Sequence, residues 1–370
     1  MKDLLARIAA QARQRPAAPA LSDGVVTFDY AELWRQVDTL AAQLDGQRIA
    51  YLLANSCAWA LIDLAVQVRG ATGIPIPTFF SDAQIAHLLD DAAPDLILTD
   101  QPGRIGALLH GAAGVHRPLA GREVYAFVRD AQPATALPPH TAKLTYTSGT
   151  TGQPKGVCLS GAAIARVSMS LIDAVAGGPD DRTLSLLPLS TLLENIGGVY
   201  APLASGGLAC VPDLASVGMQ GSSGVQPEQL IAALHTHAPS SIILVPQLLK
   251  VLVEARAAGV ALPASLRFIA VGGAPTSPAL IERARAFGLP VYEGYGLSEC
   301  ASVVSLNRPG DERAGSVGRP LPHVHVRIAA DGEIEVAGNL FSGYLGAAAR
   351  SNDYWPTGDL GYLGADGYLF

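Results

Sequence analysis

One segment near the middle of the chain, residues 144–160 (LTYTSGTTGQPKGVCLS), constrains the fold more than any other. Its first four residues are β-formers that predict a strand, and the VCL near its end predicts a second strand. Between them Pro154 fixes φ and Gly156 releases it, which is typical of a turn. Ser160 is a suitable N-cap for a helix over residues 161–174. The segment therefore predicts two strands that are joined by a loop and followed by a helix.

The loop in this segment carries the groups that bind a polyphosphate. Its glycines let backbone N–H groups approach an anion, while hydroxyls and one lysine add donors and positive charge. The candidate phosphate-binding residues are Thr147, Ser148, Gly149, Thr150, Thr151, Gly152 and Lys155. A P-loop NTPase is excluded, because that pattern needs Ser or Thr directly after the lysine, where this chain has Gly156. Strands on both sides disfavour a solvated linker.

Composition excludes several classes of protein. Hydrophobic residues make up 49% of the 370 residues and charged residues 15%, so the chain can bury a large core and disorder is disfavoured. The net charge of −7 argues against a nucleic-acid-binding protein. No apolar run reaches the roughly 18 residues of a transmembrane helix. Four scattered cysteines without a CxxC pair disfavour a cysteine metal site and favour a cytoplasmic location.

Predicted strands and helices alternate up to about residue 310, which predicts an α/β fold with mostly parallel sheets. A chain of this length needs more than one core. We predict two βα-layered subdomains, the first over residues 46–175 and the second from residues 1–45 together with residues 176–310. Helix signals vanish and glycines become frequent in residues 311–370, which predicts a small β-barrel-like subdomain.

Two glycine-rich segments follow predicted strands in the second subdomain. They are VGGAP, residues 271–275, and YEGYGLSE, residues 292–299. In open α/β sheets, ligands bind at the carboxyl ends of the strands. An ordinary turn is the alternative for either segment alone, but together with the loop they predict a shared ligand site.

These motifs resemble those of one enzyme superfamily. TYTSGTTGQPKG resembles the signature loop of the adenylate-forming enzymes, which include acyl-CoA synthetases, aryl-CoA ligases, luciferases and adenylation domains of peptide synthetases. The glycine-rich segments and YWPTGDLG, residues 354–361, match further motifs in the same order, and the match runs over residues 28–370. LPLSTLLE, residues 187–194, contains the start of a predicted helix that runs from residue 190 to residue 203. It is similar to the LPLSHxxE segment of long-chain acyl-CoA synthetases, with Thr191 in place of the histidine.

The resemblance implies the cofactors and a role for each motif. ATP and Mg²⁺ are the implied cofactors, with Lys155, Ser298 and Glu299 as catalytic residues and Glu299 as the metal ligand. Tyr295 is implied to stack on the adenine, and Asp359 to accept the ribose hydroxyls. The remaining residues of the implied nucleotide site are Gly273, Ala274, Pro275, Glu293, Gly294 and Gly296.

The implied reaction activates a carboxylic acid to acyl-AMP and transfers the acyl group to a thiol, either that of CoA or the phosphopantetheine of an acyl carrier protein. A fatty acid is the implied substrate and an aromatic acid is the alternative. The predicted substrate-pocket residues are Thr191, Asn195, Gly198, Gly272, Gly296 and Cys300. A nucleotide-binding regulatory protein without turnover is the alternative from a different class.

The sequence ends at DGYLF, just before the hinge that the superfamily places ahead of a smaller C-terminal lid domain. The resemblance therefore implies that this chain is the large N-terminal domain. It implies that the lid domain is absent, and that the late lysine that reaches the α-phosphate is absent with it. We expect such a chain to bind ATP or acyl-AMP and to adenylate slowly, since loss of one charge-stabilising donor typically costs ~10²–10³ in rate.

Overall fold

The computed structural model describes residues 1–129, 135–147, 153–221, 224–348 and 352–370. The helices are α1 (Lys2–Gln14), α2 (Tyr30–Gln43), α3 (Cys57–Arg69), α4 (Asp82–Ala92), α5 (Pro102–Leu108), α6 (Gly161–Ala174), α7 (Leu192–Glu194), α8 (Ala201–Ser205), α9 (Pro227–His237), α10 (Pro246–Ala257) and α11 (Pro278–Ala286). A π turn lies at Asn195–Tyr200, and 3₁₀ turns lie at Leu214–Val217 and Ser298–Cys300.

The strands fall into three main sheets and one short two-stranded ribbon. They are β1 (Pro19–Ser22), β2 (Thr27–Asp29), β3 (Arg48–Leu52), β4 (Thr72–Pro75), β5 (Leu96–Thr99), β6 (Val115–His116), β7 (Tyr125–Val128), β8 (Thr141–Thr147), β9 (Lys155–Ser160), β10 (Arg182–Leu184), β11 (Leu208–Cys210), β12 (Met219–Gln220), β13 (Gly224–Val225), β14 (Ser241–Leu244), β15 (Phe268–Val271), β16 (Val291–Leu297), β17 (Ser302–Leu306), β18 (Arg319–Pro320), β19 (Val324–Ile328), β20 (Glu333–Gly338), β21 (Gly343–Tyr344) and β22 (Trp355–Leu360).

The first sheet has the strand order β21-β9-β8-β4-β3-β5-β7-β6. Its central strands β8, β4, β3 and β5 are parallel, while the strands on either edge are antiparallel. The central strands are buried on both faces, which explains why β3 and β5 read as continuous apolar runs. The α/β layering predicted from the alternation of elements is present here.

The second sheet has the order β18-β17-β16-β15-β14-β10-β11-β1-β2. Neighbouring strands from β1 across to β16 are parallel, and β2, β17 and β18 are antiparallel. The carboxyl ends of β14 and β15 therefore meet at one edge of the sheet, where the glycine-rich segments begin. A third, antiparallel sheet of β19, β20 and β22 lies in the region predicted as a small β subdomain.

Helix caps were predicted where the sequence offers a polar residue ahead of an apolar run. Ser160 accepts a hydrogen bond from the backbone N–H of Ala163 at the start of α6, which confirms the predicted cap. Ser81 and Gln84 form a reciprocal capping box at the start of α4. No helix in the described part of the chain combines the length and the apolar character that a membrane crossing requires.

A buried polar network joins α3 and the first sheet to the π turn. Lys143 Nζ lies 2.7 Å from Asp63 Oδ1, and both side chains are almost completely inaccessible to solvent. Asp63 also accepts hydrogen bonds from Tyr51, from Asn195 Nδ2 at 3.0 Å and from Tyr200 at 2.6 Å. Burial lowers the pKa of Lys143, while the Asp63 carboxylate opposes that shift. The ion pair thus occupies a site that water does not reach.

The π turn replaces part of the regular helix predicted through residues 190–203. Its first and last residues, Asn195 and Tyr200, are the two that bond to Asp63. Lys143 also donates to Asn195 Oδ1 and to the Tyr200 hydroxyl. Both ends of the turn are therefore held by the same ion pair, and the turn contains one more residue than a turn of α-helix.

Candidate active site

The two ends of the phosphate-binding loop lie side by side. Thr147 ends β8, Lys155 begins β9, and the two residues are cross-strand partners. Antiparallel partners lie about 5 Å apart, so the described ends of the loop are held close together. The predicted loop residues that lie outside the described part of the chain are Ser148, Gly149, Thr150, Thr151 and Gly152.

Tyr344 connects the loop lysine to the predicted metal ligand. It lies on β21, which pairs with β9. Lys155 Nζ lies 5.6 Å from the centre of the Tyr344 ring, and the Tyr344 hydroxyl donates a hydrogen bond of 2.7 Å to Glu299 Oε1. Lys155 and Glu299 therefore face a common space, and sequence reasoning had assigned Tyr344 no role in the site.

Glu299 presents a carboxylate that suits Mg²⁺ bound to a nucleotide. Its backbone is fixed by a 2.7 Å hydrogen bond from the Phe341 N–H to the Glu299 carbonyl. The described residues contain no cluster of three or more His, Cys, Asp or Glu side chains that could enclose a metal. Mg²⁺ is commonly held by one or two carboxylates and by substrate phosphates, so a single carboxylate beside Lys155 fits this ion.

Tyr295 and Asp359 meet at the other end of the site. Tyr295 lies on β16 and Asp359 on β22, and the Tyr295 hydroxyl donates a hydrogen bond of 2.7 Å to Asp359 Oδ2. The Asp359 N–H donates to Thr357 Oγ1 at 3.2 Å, which fixes the turn before the carboxylate. Burial raises the pKa of Tyr295, so its hydroxyl remains a donor at neutral pH. An aromatic ring and an exposed carboxylate are thus placed together.

The first glycine-rich segment lies at one edge of the second sheet, next to β16. β15 ends at Val271, and Gly273, Ala274 and Pro275 follow it as an exposed turn in which Gly273 has φ of +78°. Val271 is the partner of Glu293 on β16. The first glycine-rich segment therefore lies beside the second, as the rule for parallel sheets predicts.

The second segment continues as a strand instead of ending in a turn. β16 runs through Gly294, Tyr295 and Gly296 and leads directly to Ser298 and Glu299. A Cβ on Gly296 would lie 1.8 Å from the carbonyl oxygen of Ser302 on β17. Glycine is required there because the two backbones of the β16–β17 pair approach so closely.

A cavity of about 270 Å³ opens beside Tyr295 and Ser298 and runs under α6 and the π turn, against β14 and β15. Its lining is mainly apolar and includes Leu171, Gly197 and Ile243. The predicted pocket residues that line it are Thr191, Gly272 and Gly296.

The structure places the other three predicted pocket residues elsewhere. Asn195 belongs to the buried network with Asp63, and Cys300 packs in the apolar core beneath the third sheet. A Cβ on Gly198 would lie 2.6 Å from Glu194 Oε1, so this glycine faces Glu194 while Gly197 lines the cavity. The π turn explains the difference, because its extra residue changes which glycine faces inward.

Glu194 is a fully buried carboxyl beside this turn. Within the described residues neither of its oxygens has a hydrogen-bond partner; Ser185 Oγ and the Leu187 backbone lie nearby without completing one. Burial raises the pKa of Glu194 to about 8. The carboxyl is therefore mostly protonated at neutral pH, which avoids an uncompensated charge behind the cavity wall.

Residues 8–345 match the family of AMP-binding enzymes. The chain belongs to this family. The long-chain-fatty-acid–CoA ligase FadD15 of Mycobacterium bovis is 26% identical over 94% of this chain and 70% of its own length. The fatty acid–acyl-carrier-protein ligase MmaC of Mycobacterium marinum is 30% identical over 97% of this chain and 71% of its own length. This AMP-binding chain therefore spans about 70% of the length of these relatives.

A solved structure extends the comparison to the cofactors. The o-succinylbenzoate coenzyme A synthetase MenE of Bacillus subtilis, in complex with ATP and a magnesium ion, is 26% identical, with a TM-score of 0.78 over 98% of this chain and 78% of that one. The predicted superfamily, the α/β fold, the acid–thiol ligase class and the ATP and Mg²⁺ cofactors are confirmed at the level of the AMP-binding family.

Proposed function

We propose that this chain binds ATP with Mg²⁺ and a carboxylic acid with an extended apolar tail, a fatty acid, and converts the acid to acyl-AMP. The acyl group then passes to the thiol of CoA or of an acyl carrier protein. The observation that carries the proposal is that one segment, β16 and the 3₁₀ turn after it, joins both sets of contacts to the cavity. Tyr295 on this segment bonds Asp359, Glu299 bonds Tyr344 beside Lys155, and Tyr295 and Ser298 line the apolar cavity.

Each contact supports a role toward one part of the nucleotide. Lys155 and the loop hydroxyls hold the β- and γ-phosphates, and Ser298 donates to the α-phosphate. Glu299 binds Mg²⁺, which supplies charge neutralisation on the phosphates when it is bound. Tyr295 stacks on the adenine, while the two oxygens of Asp359 accept the two ribose hydroxyls.

The reaction needs positioning more than acid–base catalysis. The ionised substrate carboxylate attacks the α-phosphorus of ATP, the bond to the β-phosphate oxygen breaks, and pyrophosphate leaves. A thiolate then attacks the acyl carbon and AMP leaves. Neither step requires a side chain to remove a proton from the acid, so the contribution of Lys155 and Ser298 is orientation and charge stabilisation.

The shape of the cavity favours a fatty acid over an aromatic acid. The stretch of β15 and its flanks that lines it runs from Arg267 to Gly273. The six residue-to-residue steps from Arg267 to Gly273 span at most about 20 Å when extended, which allows an extended acyl chain and exceeds a single aromatic ring. Slow adenylation by this chain stays a prediction, independent of which acid it binds. A pyrophosphate-exchange assay measures the rate of adenylation.

We expect acyl-sulfamoyl-adenosine analogues to raise the melting temperature progressively from butanoyl through octanoyl to dodecanoyl. Each methylene buried in the cavity contributes about 0.8 kcal/mol. Differential scanning fluorimetry measures the effect, with unacylated sulfamoyl-adenosine as the matched control. A larger shift with the benzoyl analogue than with dodecanoyl would favour the aromatic acid. A response to ATP alone would instead favour a regulatory nucleotide-binding protein.

A further inference from the structure

We propose that the acyl cavity is a tunnel open at both edges of the second sheet. It then accepts tails longer than the tunnel itself, and tails that carry a neutral polar group at their far end. This inference rests on the proposed function, because it concerns the substrate of that site.

The exposure of the lining residues supports two openings. At the nucleotide end Gly296 is exposed. In the middle Ile242 and Ile243 are only 0% and 7% exposed. At the far end Ser205 is half-buried and the Arg267 side chain is 39% exposed. The lining therefore passes from exposed to buried and back to exposed along its length.

The direction of β15 fixes where the far opening lies. Arg267 directly precedes β15, and Gly272 and Gly273 directly follow it. The far opening is therefore at the amino edge of the parallel strands, opposite the edge where the nucleotide residues lie. A tail of roughly 12–16 carbons, with C–C bonds of about 1.5 Å in a zigzag, crosses the sheet before it reaches this opening.

The ion pair at the far opening is already satisfied. Arg267 Nε and Nη2 lie 2.9 and 2.6 Å from the two oxygens of Asp181, and Arg267 Nη1 donates to the Val175 carbonyl at 2.9 Å. Asp181 Oδ1 also accepts from Ser240 Oγ at 2.7 Å. A saturated pair offers little to a carboxylate on the tail, so a neutral end group is favoured.

Two hydroxyls in the lining near this opening can bond such a group. Thr183 Oγ1 and Ser241 Oγ lie 2.9 Å apart and share one hydrogen bond. One hydroxyl donates in that bond, so the proton of the other and further lone pairs remain for a ligand. A hydroxyl at the end of a long tail finds partners here, whereas the same hydroxyl on a short tail ends among apolar side chains.

Isothermal titration with acyl-sulfamoyl-adenosines tests the two openings. The analogues are octanoyl, hexadecanoyl and eicosanoyl, with versions of the first two that carry a terminal hydroxyl. We expect affinity to rise from octanoyl to hexadecanoyl and then to level off at eicosanoyl, because the added methylenes emerge into water. A terminal hydroxyl should weaken the octanoyl analogue by about 10-fold or more, since it is buried without a partner, and should leave the hexadecanoyl analogue unchanged.

A variant at the far end of the tunnel tests whether long tails reach that end. Ser241→Phe is expected to fill the far end and to weaken the hexadecanoyl and eicosanoyl analogues while octanoyl and ATP bind as before; Ser265→Phe, on the surface, is the matched control. A sharp fall in affinity at eicosanoyl, or an equal hydroxyl penalty at both lengths, overturns the second opening. Failure of every acyl analogue to bind overturns the proposed function itself, together with this inference.

Discussion

Replacing Asp63 with asparagine is expected to destabilise the fold by about 3–5 kcal/mol, because it leaves the Lys143 ammonium buried without a counter-charge. Asp63 and Lys143 are almost wholly inaccessible to solvent, so water cannot replace the lost carboxylate. The new amide also adds a donor among side chains that already donate, namely Tyr51 and Tyr200. The same substitution should loosen the π turn, since its two ends bond to this carboxylate.

Urea unfolding followed by tryptophan fluorescence measures this effect, and Trp59 is a suitable reporter because Lys143 Nζ lies 6.0 Å from its ring. The matched control is Glu254→Gln, which makes the same chemical change in the exposed pair of Glu254 with Arg283. That control should leave the free energy of unfolding unchanged, since solvent screens such pairs. Equal stability of Asp63→Asn and the wild type would show that Lys143 is not charged in the fold.

Replacing Glu299 with glutamine is expected to remove most of the gain in ATP affinity that Mg²⁺ provides. Loss of even an outer partner of a metal ligand typically costs about 10–100-fold in metal affinity, and loss of the ligand itself should cost at least as much. Tyr344→Phe keeps the carboxylate and removes only this outer partner, so its loss of metal affinity should be about 10-fold, at the low end of that range. The order of effect should therefore be Glu299→Gln first and Tyr344→Phe second.

Titration of ATP with and without Mg²⁺ measures the gain for each variant. Glu254→Gln again serves as the carboxylate control, because it lies on an exposed ion pair. If Glu299→Gln retained the full Mg²⁺-dependent gain, the metal would be held by other groups. If Tyr344→Phe lost as much as Glu299→Gln, the tyrosine would act on the nucleotide directly.

Local signals in the sequence predicted the alternation of strands and helices and the order of the motifs. The Ser160 cap, the strands on both sides of the loop and the glycine-rich segments after β15 depend on nearby residues alone. The resemblance gave Tyr295 and Asp359 separate roles, at the adenine and at the ribose, and the hydrogen bond between them was not predicted.

The contacts and turns that depend on long-range packing could not be predicted from the sequence. Tyr344 reaches Glu299 only because β21 pairs with β9, a contact between distant parts of the chain that no local pattern encodes. Gly197 and Gly198 are equivalent in the sequence, and the π turn determines which of them lines the cavity. Asn195 and Tyr200, at the two ends of that turn, bond the buried carboxylate of Asp63, a contact between distant parts of the chain that no local pattern encodes.

The convergence of Lys155, Glu299 and Asp359 on one nucleotide is tested most directly at the ribose, by titrating ATP and 2′,3′-dideoxy-ATP into the wild type and Asp359→Asn. The wild type should prefer ATP by at least about 10-fold, because hydrogen bonds to a charged group contribute about 1.5–3 kcal/mol each. Asp359→Asn should lose most of that preference and keep its dependence on Mg²⁺, while Tyr295→Phe, which removes only the hydrogen bond to Asp359, should keep the preference. A wild type that binds both nucleotides equally, or an Asp359→Asn variant that still prefers ATP as strongly, would contradict a shared nucleotide site.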